Sequence, residues 1–163
     1  MTRLVGTVAV ALALGASAFA GTPDAGVLVP QVSLGGVRLG WTRAQVEAVW
    51  GRAEGRCANC RRETFYFNRY AFQPQGAGIE LVAGRVDAVF TLWAPPGWRT
   101  AQGLRIGDPL VRVEATYPTT LATPCRSYDA YVLPGGHAKS VVYVVDGDVW
   151  GFALMTARHG VCF

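Results

Sequence analysis

Residues 36–51, GVRLGWTRAQVEAVWG, decide the reading of the fold, because a related stretch, GLRIGDPLVRVEATYP, returns at residues 103–118. Laying Val37 on Leu104 pairs Arg38 with Arg105, Gly40 with Gly107, Val46 with Val113, Glu47 with Glu114, Ala48 with Ala115 and Trp50 with Tyr117. A self-match at one fixed offset marks a supersecondary unit used twice. In each copy a glycine precedes a capping position. Thr42 or Asp108 offers a side-chain oxygen to the first free N–H groups of a helix, and Pro109 suits its first turn, so a short helix is expected from each. Leu110, Val113 and Tyr117 form an apolar stripe on the second helix; Ala44, Val46, Val49 and Trp50 form a less regular one on the first.

The rest of the unit recurs too. Residues 79–89, IELVAGRVDAV, match residues 142–152, VYVVDGDVWGF, and both read as hairpins. Ala83-Gly84 and Asp146-Gly147 fall at the tips, where primed turns need two residues at positive φ. A further strand precedes each hairpin, over 64–70 and 128–133. The expected fold is α+β, two tandem α-β-β-β repeats forming a mostly antiparallel sheet with helices on one face. The bounds are an N-terminal segment over 21–36, a first repeat over 37–93, a Pro-rich linker over 94–103 and a second repeat over 104–163.

Strand alternation then separates two faces. Phe65, Phe67, Ile79, Leu81, Val86, Ala88, Phe90, Leu92, Val132, Val142, Val144, Val149 and Met155 are assigned to the helix side. The other side receives Asn68, Glu80, Asp87, Thr91 and Leu154 together with Tyr66, Tyr70, Trp93, Tyr131, Tyr143, Trp150 and Phe152, and these seven aromatics are the candidate partner-binding residues. A sheet face left to water should be polar, whereas aromatic rings with polar handles suit recognition. On this reading, Tyr143→Ala or Trp150→Ala abolishes binding and leaves stability intact.

Residues 1–20 read as an export signal, with Arg3 before an apolar run and Ala18-Phe19-Ala20 as the cleavage site. No Cys follows that site, and no membrane span is expected in the mature chain. A secreted, periplasmic or cell-envelope location follows. Removing Arg3 takes the net charge from +4 to only +3, and no basic run interleaves with aromatics, so no nucleic-acid partner is expected. The densest basic group, Arg52, Arg56, Arg61 and Arg62, reads as a solvated loop.

Four cysteines in an exported chain favour disulfides. Cys57 is paired with Cys60, leaving Cys125 with Cys162; the other two connectivities stay open. Cys57-Ala58-Asn59-Cys60 also has redox spacing, but a thiol exchanger wants its first Cys at a helix N-terminus. The spacings fit no metal site, and no cofactor is expected. Ser33, Ser127 and Ser140 lie in no nucleophile motif, while His137 and His159 read as surface or tail residues, so no catalytic constellation is assigned.

The plan resembles the tandem-repeat fold of the β-lactamase inhibitory proteins, and each unit is similar to the small outer-membrane assembly lipoproteins of the SmpA/BamE type. LGWTRAQVEAVWG with IGDPLVRVEATYP, and ELVAGRVDAVF with YVVDGDVWGFAL, carry the resemblance. In the inhibitory proteins two such units grip a secreted enzyme with a concave sheet, which implies a binding role for Tyr66, Tyr143 and Trp150. The expected function is a non-catalytic module that captures or inhibits an extracytoplasmic protein. The alternatives are a structural part in the envelope, or thiol redox exchange.

Overall fold

The computed structural model describes residues 23–68, 76–92 and 97–162; the export segment, Tyr70 and Trp93 lie outside them. The described chain begins with β1 (Ala25–Val29) and β2 (Ser33–Leu34), followed by α1 (Arg43–Trp50). Four strands come next: β3 (Gly55–Arg56), β4 (Glu63–Tyr66), β5 (Gly76–Val82) and β6 (Arg85–Leu92). After β7 (Gly97–Thr100) and α2 (Leu110–Thr116) come β8 (Leu121–Pro124), β9 (Asp129–Val132), β10 (Ala138–Val145) and β11 (Asp148–Thr156).

Local chemistry explains the punctuation. Thr42 caps α1 through a capping box: Gln45 N–H donates to Thr42 Oγ1 and Thr42 N–H donates to Gln45 Oε1. The second helix starts differently from the expectation. Pro109 is its N-cap, and Asp108 Oδ2 instead accepts from the Arg105 N–H at 2.8 Å. The Gly147 carbonyl takes the Leu110 N–H at 2.7 Å, so a neighbouring turn satisfies the free donor that a side-chain cap would have met. Both hairpin tips adopt positive φ, at Ala83-Gly84 (49° and 72°) and Asp146-Gly147 (51° and 88°).

The fold is mainly β, which corrects the α+β expectation. The helices have only eight and seven residues, and α2 buries Val113 alone. So small a surface leaves most of an eight-stranded sheet, ordered β3-β4-β5-β6-β11-β10-β9-β8, uncovered. A second sheet, β2-β1-β7, shares that duty, with β1 and β7 running parallel. Segments read as an N-terminal extension and a linker therefore carry structural strands, and Leu28, Leu34 and Trp98 from them are fully buried. Each half of the large sheet also has four strands rather than three. The halves meet where β6 pairs with β11, from Leu92↔Gly151 to Ala88↔Met155. A Cβ on Gly151 would run into the Thr91 carbonyl oxygen, so this seam requires glycine.

The face assignment is also corrected. Register shifts at Glu80/Leu81 and at Tyr143/Val144 leave Asp87 and Trp150 as extra residues. One inserted residue inverts the alternation beyond it. Val89, Phe152 and Leu154 therefore join the helix-side core with Phe65, Phe67, Ile79 and Val142, whereas Ala88, Phe90 and Met155 pack on the other face with Tyr66 and Tyr143. In β9, Tyr131 pairs with Val142 and packs on the helix-side core, while Val132 lies on the opposite side.

The outer edge at β8 is blunted. Cys125 N–H donates to Tyr128 O, so alternation along this antiparallel ladder points the Pro124 nitrogen away from β9. An incoming strand would meet a ring instead of a donor there.

Candidate functional site

The face away from the helices is covered by two disulfide-closed segments. Cys57–Cys60 ties the turn between β3 and β4, and Cys125–Cys162 ties the C-terminal tail to the end of β8. Cys57, Cys125, Tyr128, Trp150 and Val161 pack onto a second core built on Tyr66, Phe90, Val141, Tyr143 and Met155. Between the two clips remains a cleft of about 390 Å³. Tyr66, Phe90 and Leu92 give it an apolar lining, with the Tyr66 and Phe90 rings edge to face at 6.2 Å. Cys60 and Cys162 belong to its walls, and Arg61, Arg62, Glu80 and His159 form its polar part.

The polar part is a closed network. His159 is only 2% exposed. Its Nε2 donates to Glu80 Oε2 at 2.7 Å, and its Nδ1 lies 2.6 Å from the Gly160 carbonyl oxygen. Arg62 reaches Glu80 at 3.5 Å and Asp87 at 3.9 Å, and the Thr156 hydroxyl donates to Asp87 at 2.7 Å. Lys139 Nζ donates to the His159 carbonyl at 2.8 Å. These bonds hold the tail over β5 and β6. Buried charge is tolerated only when paired in this way. Among the described residues, the one hydroxyl in the cleft apart from the Tyr66 phenol, Thr64 Oγ1, donates to the Arg62 carbonyl. Among the described residues, no group of three or more His, Cys, Asp or Glu side chains has metal-holding geometry.

The expected binding residues separate. Tyr66 lines the cleft but is only 8% exposed. Tyr143 is fully buried under the tail, its hydroxyl donating to the Val161 carbonyl at 3.1 Å. Phe152 is fully buried on the helix side, and Tyr131 is half-buried there. Trp150 is half-buried and lies 6.0 Å from the Tyr128 ring. The expected open aromatic face is thus corrected to a second core. His159, read as a surface or tail residue, proves to be a buried anchor, whereas His137 is exposed. Both disulfides pair as expected, but Cys57 precedes a strand rather than a helix, so no helix dipole acts on it. The sequence signal for the network was Glu80, a carboxylate in mid-strand between Ile79 and Leu81.

Burial, with smaller contributions from Tyr128 and Glu80, pushes the Tyr143 phenol well above its ordinary value of 10.0. The folded chain therefore holds that proton more tightly than the unfolded chain. The resulting stabilisation is complete below about pH 10 and is lost as pH rises above it. Urea midpoints should fall on going from about pH 9 to about pH 11, and Tyr143→Phe should flatten the fall. Parallel slopes for the two proteins would show that another group governs the alkaline limit.

No protein-family model matches the sequence, and no curated protein matches it. Among solved structures, the chain is similar to an extracellular protein containing a SCP domain from Bacillus anthracis str. Ames, at 12% identity and a TM-score of 0.49. The alignment covers 73% of this chain and 44% of that one, so the chain spans less than half of that protein's length. Among the described residues, no helix is long and apolar enough to cross a membrane.

Proposed function

We propose that this chain is an exported, non-catalytic binding module that holds a protein partner at the disulfide-framed cleft rather than across a broad aromatic sheet face. Two disulfides fit an oxidising compartment. The observation that carries the reading is the cleft itself: an apolar lining of Tyr66, Phe90 and Leu92 beside Arg61, an exposed cation outside any ion pair among the described residues. Cross-links at both walls pre-organise it, which reduces the entropy lost on binding. An acidic side chain flanked by apolar ones suits that surface, since the guanidinium can pair with a carboxylate through two hydrogen bonds. The resemblance to the β-lactamase inhibitory proteins points to the same class of role, without naming a target.

The mature chain should capture its partner from the producer's own exported fraction. Arg61→Glu should then weaken binding by about tenfold or more, because it replaces an attraction with a like-charge contact. Arg112→Glu, on the exposed side of α2, should leave affinity unchanged, and neither variant should alter thermal stability. Equal affinity of Arg61→Glu and the parent chain would remove the cleft as the contact.

A further inference from the structure

We propose that the Cys57–Cys60 disulfide is a redox-sensitive switch for the cleft, opened by an external dithiol and closed again by a disulfide oxidant while the Cys125–Cys162 bridge stays intact. Its purpose, regulation of the contact made there, rests on the binding role proposed for that cleft. The two bridges do different work. Cys125–Cys162 fastens a tail that three further bonds also hold in place, from His159 to Glu80 at 2.7 Å, from Lys139 to the His159 carbonyl at 2.8 Å and from Tyr143 to the Val161 carbonyl at 3.1 Å. Those bonds keep Cys162 near its mate, so the fold itself favours reclosure of the longer bridge.

Cys57–Cys60 has no such support and no such duty. It joins residues three apart in sequence, and closing so short a loop restrains little of the unfolded chain. The β3–β4 hairpin around it is secured by other contacts: Glu54 N–H donates to Tyr66 O at 2.9 Å, Cys57 N–H donates to Thr64 O at 3.0 Å, and Arg56 pairs with Glu63 at 3.4 Å. The hairpin therefore outlives the bridge. What the bridge does constrain is the turn that follows Cys57, and Cys60, Arg61 and Arg62 of that turn line the cleft. Opening it loosens the wall that carries Arg61 and leaves the sheet as it was.

The surroundings favour exchange at this bridge. Cys60 is exposed whereas Cys57 is half-buried against the second core, so an incoming thiolate meets Cys60 first. Arg56 and Arg61 stand next to the two cysteines in sequence, and Arg61 is exposed and outside any ion pair among the described residues. Positive charge there draws the attacking thiolate and stabilises the departing one. A thiolate of the dithiol attacks Cys60 Sγ, the bond between the cysteines breaks, and Cys57 leaves as a thiolate that takes up a proton. The second sulfur of the dithiol then attacks the mixed disulfide and releases Cys60. Two electrons and two protons pass to the cystine, and the dithiol becomes a disulfide.

The test exposes the ¹⁵N-labelled mature chain, with both bridges formed, to graded dithiothreitol at neutral pH, followed by iodoacetamide and mass mapping of the alkylated cysteines. Cys57 and Cys60 should be modified at about tenfold less reductant than Cys125 and Cys162, and Arg61→Gln should slow that opening about threefold. Amide shifts should be confined to residues 57–66 and to Glu80, Phe90, Leu92 and His159 around the cleft, and glutathione disulfide should restore the starting spectrum. The double Cys57→Ser, Cys60→Ser variant should remain folded and show the same shifts without reductant. Release of all four thiols together, or selective reduction that leaves the cleft signals in place, would overturn the switch. None of these readings needs a partner, so the switch and the binding role fail separately: a reversible switch in a chain that captures nothing would refute only the latter.

Discussion

Replacing Tyr143 with alanine is expected to cost about 3–5 kcal/mol of stability, the range for deleting a buried aromatic side chain. Tyr143 is fully buried in β10, edge-on to Tyr128 at 5.5 Å, with its hydroxyl bonded to the Val161 carbonyl. Removing it opens a cavity and strips a hydrogen-bond partner from the tail. In a chain of this size the melting temperature should drop by about 10 °C or more. Calorimetry of the variant and parent at neutral pH measures it. A loss under about 1 kcal/mol would mean that the ring contributes as a surface group does, and the face would return to candidacy as a binding surface.

The two disulfides should differ sharply in worth. Cys125 and Cys162 are 37 residues apart, Cys57 and Cys60 only three. Loop-closure entropy in the unfolded chain assigns about 4 kcal/mol to the longer bridge and between about 1 and 2 kcal/mol to the shorter. The double Cys125→Ser, Cys162→Ser variant should therefore unfold at markedly lower urea than the double Cys57→Ser, Cys60→Ser variant. The longer bridge also anchors the segment carrying His159 and Val161, so its loss should disorder the cleft wall and reduce partner capture together with stability. Equal costs for the two pairs would contradict the chain-entropy account. Retained capture in the first variant would show that the tail is not part of the site.

Much of the local structure was legible because its causes are local. Thr42 announced the start of α1, and Ala83-Gly84 and Asp146-Gly147 announced the hairpin tips. The misreadings have identifiable physical origins. Asp87 and Trp150 are bulge residues in otherwise regular strands, and alternation carries no sign of an inserted position until the partner strand is known. The parallel pairing of β1 with β7 joins segments about seventy residues apart that read as connectors. The cleft suffered most from this blindness. His159 meets Glu80 across 79 positions, and each residue alone fits a solvated surface. Arg61 and Arg62, read as one solvated loop, differ in that Arg62 reaches the half-buried carboxylates of Glu80 and Asp87 whereas Arg61 does not.

The seam between β6 and β11 has a further consequence for how the chain lives in solution. Severed there, each half would present a long lateral strand with bare amides and apolar rungs such as Phe90 and Leu154, an open invitation to polymerise. Covalent continuity supplies each strand with its mate at an effective concentration that no second molecule attains. Carrying both strands on one polypeptide is thus itself a safeguard against endless stacking.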